Sequence, residues 1–150
     1  MEFLEGQKNW DRRFMGLALH VSGWSRDLGR RTGCVVVGPA PGREIRATGY
    51  NGFARGVDDS VAERLERPAK YLWTEHAERN AVYNAVRAGV SLLGCTAYVP
   101  WYPCADCARA LIQSGVVELV ATAPDVLDPT WGPSFGVVRQ MMGELSEKGL

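Results

Sequence analysis

Two short apolar runs joined by a tight turn set the frame for the rest of this chain. "GCVVVGP", from Gly33, has the pattern of a buried strand, and "EIRATGY", up to Tyr50, supplies its partner. Pro39, Pro41 and Gly42 between them are strong turn formers, so the pair reads as an antiparallel hairpin. After the hairpin the periodicity changes. In "EHAERNAVYNAVRAG" the stripe Ala77, Ala81, Val82, Ala85 and Val86 predicts a packed helix with Gly89 at its C-cap. "CTAYVP" then reads as a strand, "CADCARALIQSG" as a helix closed by Gly115, and "VVELVATA" as another strand. A last helix, "SFGVVRQMMGELSEKG", is opened by Ser134 after Pro133. Upstream of the hairpin, Trp10, Phe14, Leu17, Ala18, Val21 and Trp24 recur at helical spacing within residues 8–25. A hairpin followed by β-α-β-α alternation calls for parallel neighbours joined by right-handed crossovers. The expected fold class is α/β, a three-layer α/β/α sandwich on a mixed sheet, antiparallel in the first hairpin and parallel after it.

Between Asn51 and Thr74 the pattern is irregular and polar, punctuated by Gly52, Gly56 and Pro68, with one short helix expected near "DDSVAERL". Loops of that length inside a compact domain are usually functional. At 150 residues and 46% hydrophobic content, residues 1–150 are the size of one domain, able to bury a core without disulfide staples. Acidic and basic residues balance at 17 each, so no electrostatic footprint favours a nucleic-acid partner. The start, "MEFLEGQKNWDRR", is charged where a signal peptide is apolar, and no run approaches the roughly 18 apolar residues of a membrane span. The expectation is a cytoplasmic protein with no membrane partner.

Four cysteines in a reducing compartment point to metal or catalytic use ahead of disulfides. Cys34 and Cys95 sit in strand-like apolar contexts and read as small core residues, and His20, alone in an amphipathic helix, as a structural histidine. Cys104 and Cys107 have the C-x-x-C spacing that turns two thiolates toward one ion, at the start of a helix whose dipole favours the deprotonated sulfurs. That spacing alone also fits a redox pair or one corner of a four-cysteine site. His76, in the first turn of the preceding helix, is the available third ligand, and the inventory leaves no fourth. Three protein ligands leave zinc an open position, which marks catalysis, where structural sites are closed by four. Glu78 stands two residues on. Its carboxylate suits a general base for a metal-bound water, and it also suits the stabilisation of a helix N-terminus.

The pattern H-x-E followed by P-C-x-x-C, here His76, Ala77, Glu78 and Pro103 to Cys107, resembles the zinc-dependent nucleobase deaminases. "GYNGFARG" (Gly49 to Gly56) is similar to the G-Y-N-G-x-P-x-G segment of deoxycytidylate deaminases within the cytidine deaminase superfamily. "HAERNAVYNAVRAG" and "CARALIQSGV" look like their two site helices, and "SRDLGRRTGCVVV", more loosely, like their S-K-D-P-x-T-x-V-G-A-V-I-V segment. The resemblance implies hydrolysis of dCMP to dUMP and ammonia with Zn2+ held by His76, Cys104 and Cys107. It further implies attack at C4 of cytosine by a zinc-activated water, with Glu78 moving its proton to ring N3 and then assisting the leaving amine. Asn51 would contact the sugar, the Ala77 backbone amide the base carbonyl O2, and Arg26, standing where the family has lysine, the 5′-phosphate. A small nucleotide as partner and a homo-oligomer are implied as well.

The chain departs from the family pattern where substrate choice is made. Ala54 replaces a proline, and the S-K-D-P-x-T stretch becomes Ser25, Arg26, Asp27, Leu28, Gly29, Arg30. Arg30, Arg31 and Arg55 are therefore further phosphate candidates. Trp101, Tyr102, Tyr71, Trp73, Trp131 and Phe135 are the aromatics available to wall a base pocket. Alternatives within reach of the same residues are a deaminase of cytidine, guanine or adenosine in tRNA, and a non-catalytic structural zinc module.

Overall fold

The computed structural model describes residues 2–149. Helix α1 (Glu2–Ser22) precedes the hairpin β1 (Gly33–Val37) and β2 (Ile45–Tyr50); β3 (Gly52–Phe53), α2 (Ala62–Leu65), α3 (Lys70–Trp73) and β4 (Thr74–Glu75) follow. Then come α4 (Ala77–Ala88), β5 (Thr96–Val99), α5 (Ala105–Gln113), β6 (Glu118–Ala121) and α6 (Gly132–Glu147). The main sheet has the order β2-β1-β5-β6. β1 pairs antiparallel with both β2 and β5, and β5 pairs parallel with β6, so the expected mixed sheet is present. The crossover from β2 through α4 does not lead to a neighbour of β2: it steps over β1, and β5 docks on the far side of β1. Among the described residues only the β5-α5-β6 unit joins adjacent parallel strands.

Alternation along the central strands builds the three layers. Cys34 and Val36 of β1 and Ala97 and Val99 of β5 turn toward α4 and α5, where Ala77, Ala81, Ala85 and Leu111 meet them. Val35, Val37 and Tyr98 turn the other way onto Phe14 and Ala18 of α1. Burial of these side chains is worth about 1.5–3 kcal/mol each for the larger ones. Cys34 and Cys95 are fully buried core residues, as their contexts predict.

Small residues let α4 approach the sheet closely. A Cβ on Gly49 of β2 would collide with the backbone of Ala77 and Ala81, so only glycine fits between strand and helix. On either side of it, Asn84 and Asn80, one turn apart, donate side-chain hydrogen bonds to the carbonyls of Thr48 (2.7 Å) and Tyr50 (2.8 Å). The expected stripe of α4 needs one correction. Val86 is 73% exposed, because the buried face runs through Ala77, Glu78, Ala81 and Ala85 and Val86 lies past its edge. Gly89 does close the helix in the left-handed conformation, at φ 69°.

Three other expectations are revised. α1 ends at Ser22, so Trp24 lies beyond the helical stripe, its ring set edge-on to His20 and Tyr50. The segment after Asn51 contains the small β3-β4 pair and two single-turn helices, one of them within "DDSVAERL". Finally, α6 begins at Gly132, and the Ser134 hydroxyl does not cap it: the oxygen accepts the backbone N–H of Ala105 at 2.7 Å, capping α5 from outside. Among the described residues no helix is long and apolar enough to cross a membrane.

Candidate active site

α4 and α5 both present their first residues to one cavity. His76 is the N-cap of α4 and Cys104 the N-cap of α5, each in extended conformation, and Cys107 lies in the first turn of α5. The His76 Nδ1 stands 3.5 Å from the Cys104 Sγ and 3.4 Å from the Cys107 Sγ. The three donor atoms lie within 4.8 Å of one another, and among the described residues that group holds no fourth histidine, cysteine or carboxylate. One imidazole nitrogen and two sulfurs converging this closely suit zinc, which binds at about 2.0–2.3 Å from such atoms.

The three groups shift one another's proton affinity. Cys104 is pushed down to about 4, first by its hydrogen bond with Cys107 and then by His76 beside it. Cys107 is pushed up, first by its hydrogen bond with Cys104 and then by burial. His76 is raised, chiefly by its hydrogen bond to Cys104. Glu78 lies on the cavity floor, 4% exposed, and burial raises its carboxyl above the ordinary range.

A second tier of residues lines the same cavity above this floor. Asn51 is buried with both ends of its amide engaged: Oδ1 accepts the Thr32 N–H at 2.8 Å and Nδ2 donates to the Arg30 carbonyl at 2.9 Å. It therefore pins the 30–32 turn against the site, while its Nδ2 keeps one N–H and its Oδ1 one lone pair for a further partner. Ala77 lines the cavity beside it. Arg30 stacks its guanidinium 3.2 Å from the centre of the Trp101 ring. Arg67 and Tyr71 complete the outer wall, and Lys70 reaches in to bond both carboxylate oxygens of the buried Asp27 at 3.1 Å. Arg30 and Arg67 form no ion pair with a carboxylate among the described residues.

Of the residues singled out from the sequence, His76, Ala77, Glu78, Cys104 and Asn51 line one cavity, with Cys107 in contact with His76. Arg26 does not join them. It lines an adjoining cavity with Trp24, Tyr50 and Arg55 that shares Asn51, Asp27 and Thr74 with the first, and there its guanidinium pairs with Asp59 at 2.8 Å. Five of the six aromatic candidates line the main cavity; the sixth, Trp73, turns toward Phe53 and Arg64. Sequence reasoning passed over Asp27, Thr32, Arg67, Lys70 and Thr74, all on the cavity wall. Arg67, Lys70 and Thr74 carried only membership of a long polar loop, and Asp27 and Thr32 membership of the segment likened to S-K-D-P-x-T-x-V-G-A-V-I-V, neither of which says which side chains turn inward.

Comparison with known proteins agrees with this geometry. The profile of the family described as the cytidine and deoxycytidylate deaminase zinc-binding region matches residues 8–123. The chain belongs to that family, and its His/Cys/Cys group is consistent with the family's zinc site. It is 36% identical over 137 residues to an uncharacterized deaminase from the luxG 3′ region of Aliivibrio fischeri, covering 90% of this chain and 88% of that one. It is 42% identical over 111 residues to a probable deoxycytidylate deaminase of Caenorhabditis elegans, covering 72% of this chain and 54% of that one. With the human deoxycytidylate deaminase the identity is 32% over 116 residues, covering 74% and 63%. The chain thus spans less than two thirds of the length of these two deoxycytidylate deaminases. Among solved structures, the dCMP deaminase of cyanophage S-TIM5 in complex with dCMP and dUMP superposes with a TM-score of 0.71 at 22% identity, covering 89% of this chain and 92% of that one. At that identity the likeness speaks for the shared fold.

Proposed function

We propose that the chain is one zinc-dependent deaminase domain that converts dCMP and water to dUMP and ammonia. The observation that carries this reading is the buried Glu78 carboxyl on the floor of the cavity where His76 and Cys104 meet. The deoxycytidylate deaminases among the relatives support dCMP as the substrate. Zinc, when bound by His76, Cys104 and Cys107, supplies the Lewis acidity that makes water nucleophilic near neutral pH.

Glu78 performs the proton transfers. It takes one proton from the attacking water and delivers it to ring N3, then carries the second from the new C4 hydroxyl to the 4-amino group, which leaves as ammonia as the C4–N bond breaks and C4 becomes a carbonyl carbon. Burial raises this carboxyl and so strengthens its hold on a proton, which favours its taking one from water. The Ala77 backbone N–H is assigned to the base carbonyl O2, and the free half of the Asn51 amide to the sugar. For the 5′-phosphate, the unpaired Arg30 and Arg67 in the cavity wall are better placed than Arg26, which is engaged by Asp59 next door. A homo-oligomer is part of the same reading, supported by the exposed apolar side chains Val86, Leu93 and Val117.

The test is ammonia release from dCMP, CMP, deoxycytidine, cytosine, guanine and adenosine by protein of measured zinc content. dCMP should be turned over best, and Glu78→Gln should keep its zinc while losing about 10²–10⁴-fold in kcat. No turnover of any pyrimidine, or an unimpaired Glu78→Gln enzyme, would overturn the proposal.

A further inference from the structure

The family profile ends at residue 123, yet the cavity does not. Trp131 and Phe135, on the segment that leads into and begins α6, supply part of its wall. Phe135 is fully buried and receives Trp101 and Tyr102 edge-on, at ring-centre distances of 6.1 and 5.5 Å. Trp131 meets His76 itself, centre to centre at 5.7 Å and 72° between planes.

Trp131 is held there by a built turn. The Asp128 Oδ1 accepts the backbone N–H groups of Thr130 and Trp131, both at 2.8 Å, and the Gly132 N–H donates to the Asp128 carbonyl at 2.9 Å. A Cβ on Gly132 would collide with the Val126 carbonyl, so the next position must be glycine for the turn to close. The Ser134 hydroxyl then ties the same helix to the first amide of α5, beside Cys104. These contacts fix the Trp131 backbone at the cavity wall, and its indole stands beside His76.

From this we infer that Trp131 is a specificity-determining residue: its indole closes the cavity to the width of a single-ring base. The inference rests on the reading of the chain as a dCMP deaminase. Opening the wall should then cost affinity for the small base and relax the exclusion of larger ones. A methylene-sized misfit in an apolar pocket already changes selectivity by about 10-fold or more, and an indole is far larger.

The experiment compares Trp131→Ala and Trp131→Phe with the parent on dCMP, 5-iodo-dCMP and dGMP, measuring turnover, equilibrium binding by calorimetry, zinc content and thermal midpoint. In Trp131→Ala, KM for dCMP should rise by at least ~10-fold with kcat little changed, and the binding ratio of a larger base to dCMP should improve by a similar factor. Trp131→Phe should restore part of the discrimination. Unchanged ratios for both larger bases would overturn the inference, as would a loss explained by missing zinc or a collapsed thermal midpoint. If the parent binds dCMP without releasing ammonia, the functional proposal fails while the binding ratios still decide the role of Trp131; if it binds none of the three, both fail.

Discussion

The inner and outer walls of the cavity are made differently. The inner wall, His76, Glu78 and Cys104 with Cys107 in contact with His76, stands on the first turns of two helices packed against the sheet, and its side chains are largely buried. The outer wall, Arg30, Arg67, Tyr71 and Trp131, is carried by loops, a single-turn helix and a helix end, held by hydrogen bonds of Asn51 and Asp128, the stacked Arg30–Trp101 pair and one buried ion pair. A floor set on core helices under a rim carried by loops suits the proposed division of labour, in which the reacting groups stay with the core and substrate preference varies with loop sequence.

That contrast can be broken at three depths. Replacing Cys107 with serine removes a donor from the inner wall, and zinc content should fall to near zero with turnover beyond detection, read by metal analysis and ammonia release. If the Cys107→Ser protein kept stoichiometric zinc, the three-donor site would be misassigned. Arg30→Ala, at the rim, should leave zinc and kcat nearly intact and raise KM for dCMP by about 10-fold or more, as expected for losing a charged hydrogen bond worth roughly 1.5–3 kcal/mol. Deoxycytidine, which has no phosphate, should not notice the change; equal losses for nucleotide and nucleoside would remove Arg30 from phosphate binding. Ser134→Ala lies where the walls join. Losing a helix cap should lower stability by about 0.5–2 kcal/mol and speed zinc transfer to a chelator, while the substrate profile stays that of the parent. A shifted substrate profile with no change in metal transfer would place Ser134 in the rim instead.

The same contrast explains what could be read from the chain. His76, Glu78 and the C-x-x-C turn were legible because their relation is local: each lies within a turn of a helix start, and the spacing within each motif already fixes which atoms converge. The layer order was legible for a similar reason, since strand alternation and helical stripes are local periodicities. The antiparallel docking of β5 on β1 was not, because nothing in either strand says that the crossover will step over a neighbour. Ser134 shows the limit most plainly. Its position after Pro133 is that of a helix opener, but the amide it satisfies belongs to a helix far back in the sequence. Lys70 and Arg67 were hidden likewise, since inward orientation of a loop side chain depends on distant partners such as Asp27.

The two asparagines of α4 have a consequence for how copies of this molecule can meet. β2 is the outer strand of the sheet, and its ladder to β1 continues through the Asn51 N–H to the Thr32 carbonyl, which leaves Thr48 and Tyr50 facing outward. Such a row of free acceptors is a template on which another chain can add a strand. Asn84 and Asn80 occupy those two acceptors with amide groups from the molecule's own helix. At these two positions a strand from another molecule would first have to displace the asparagine amides to reach the sheet border.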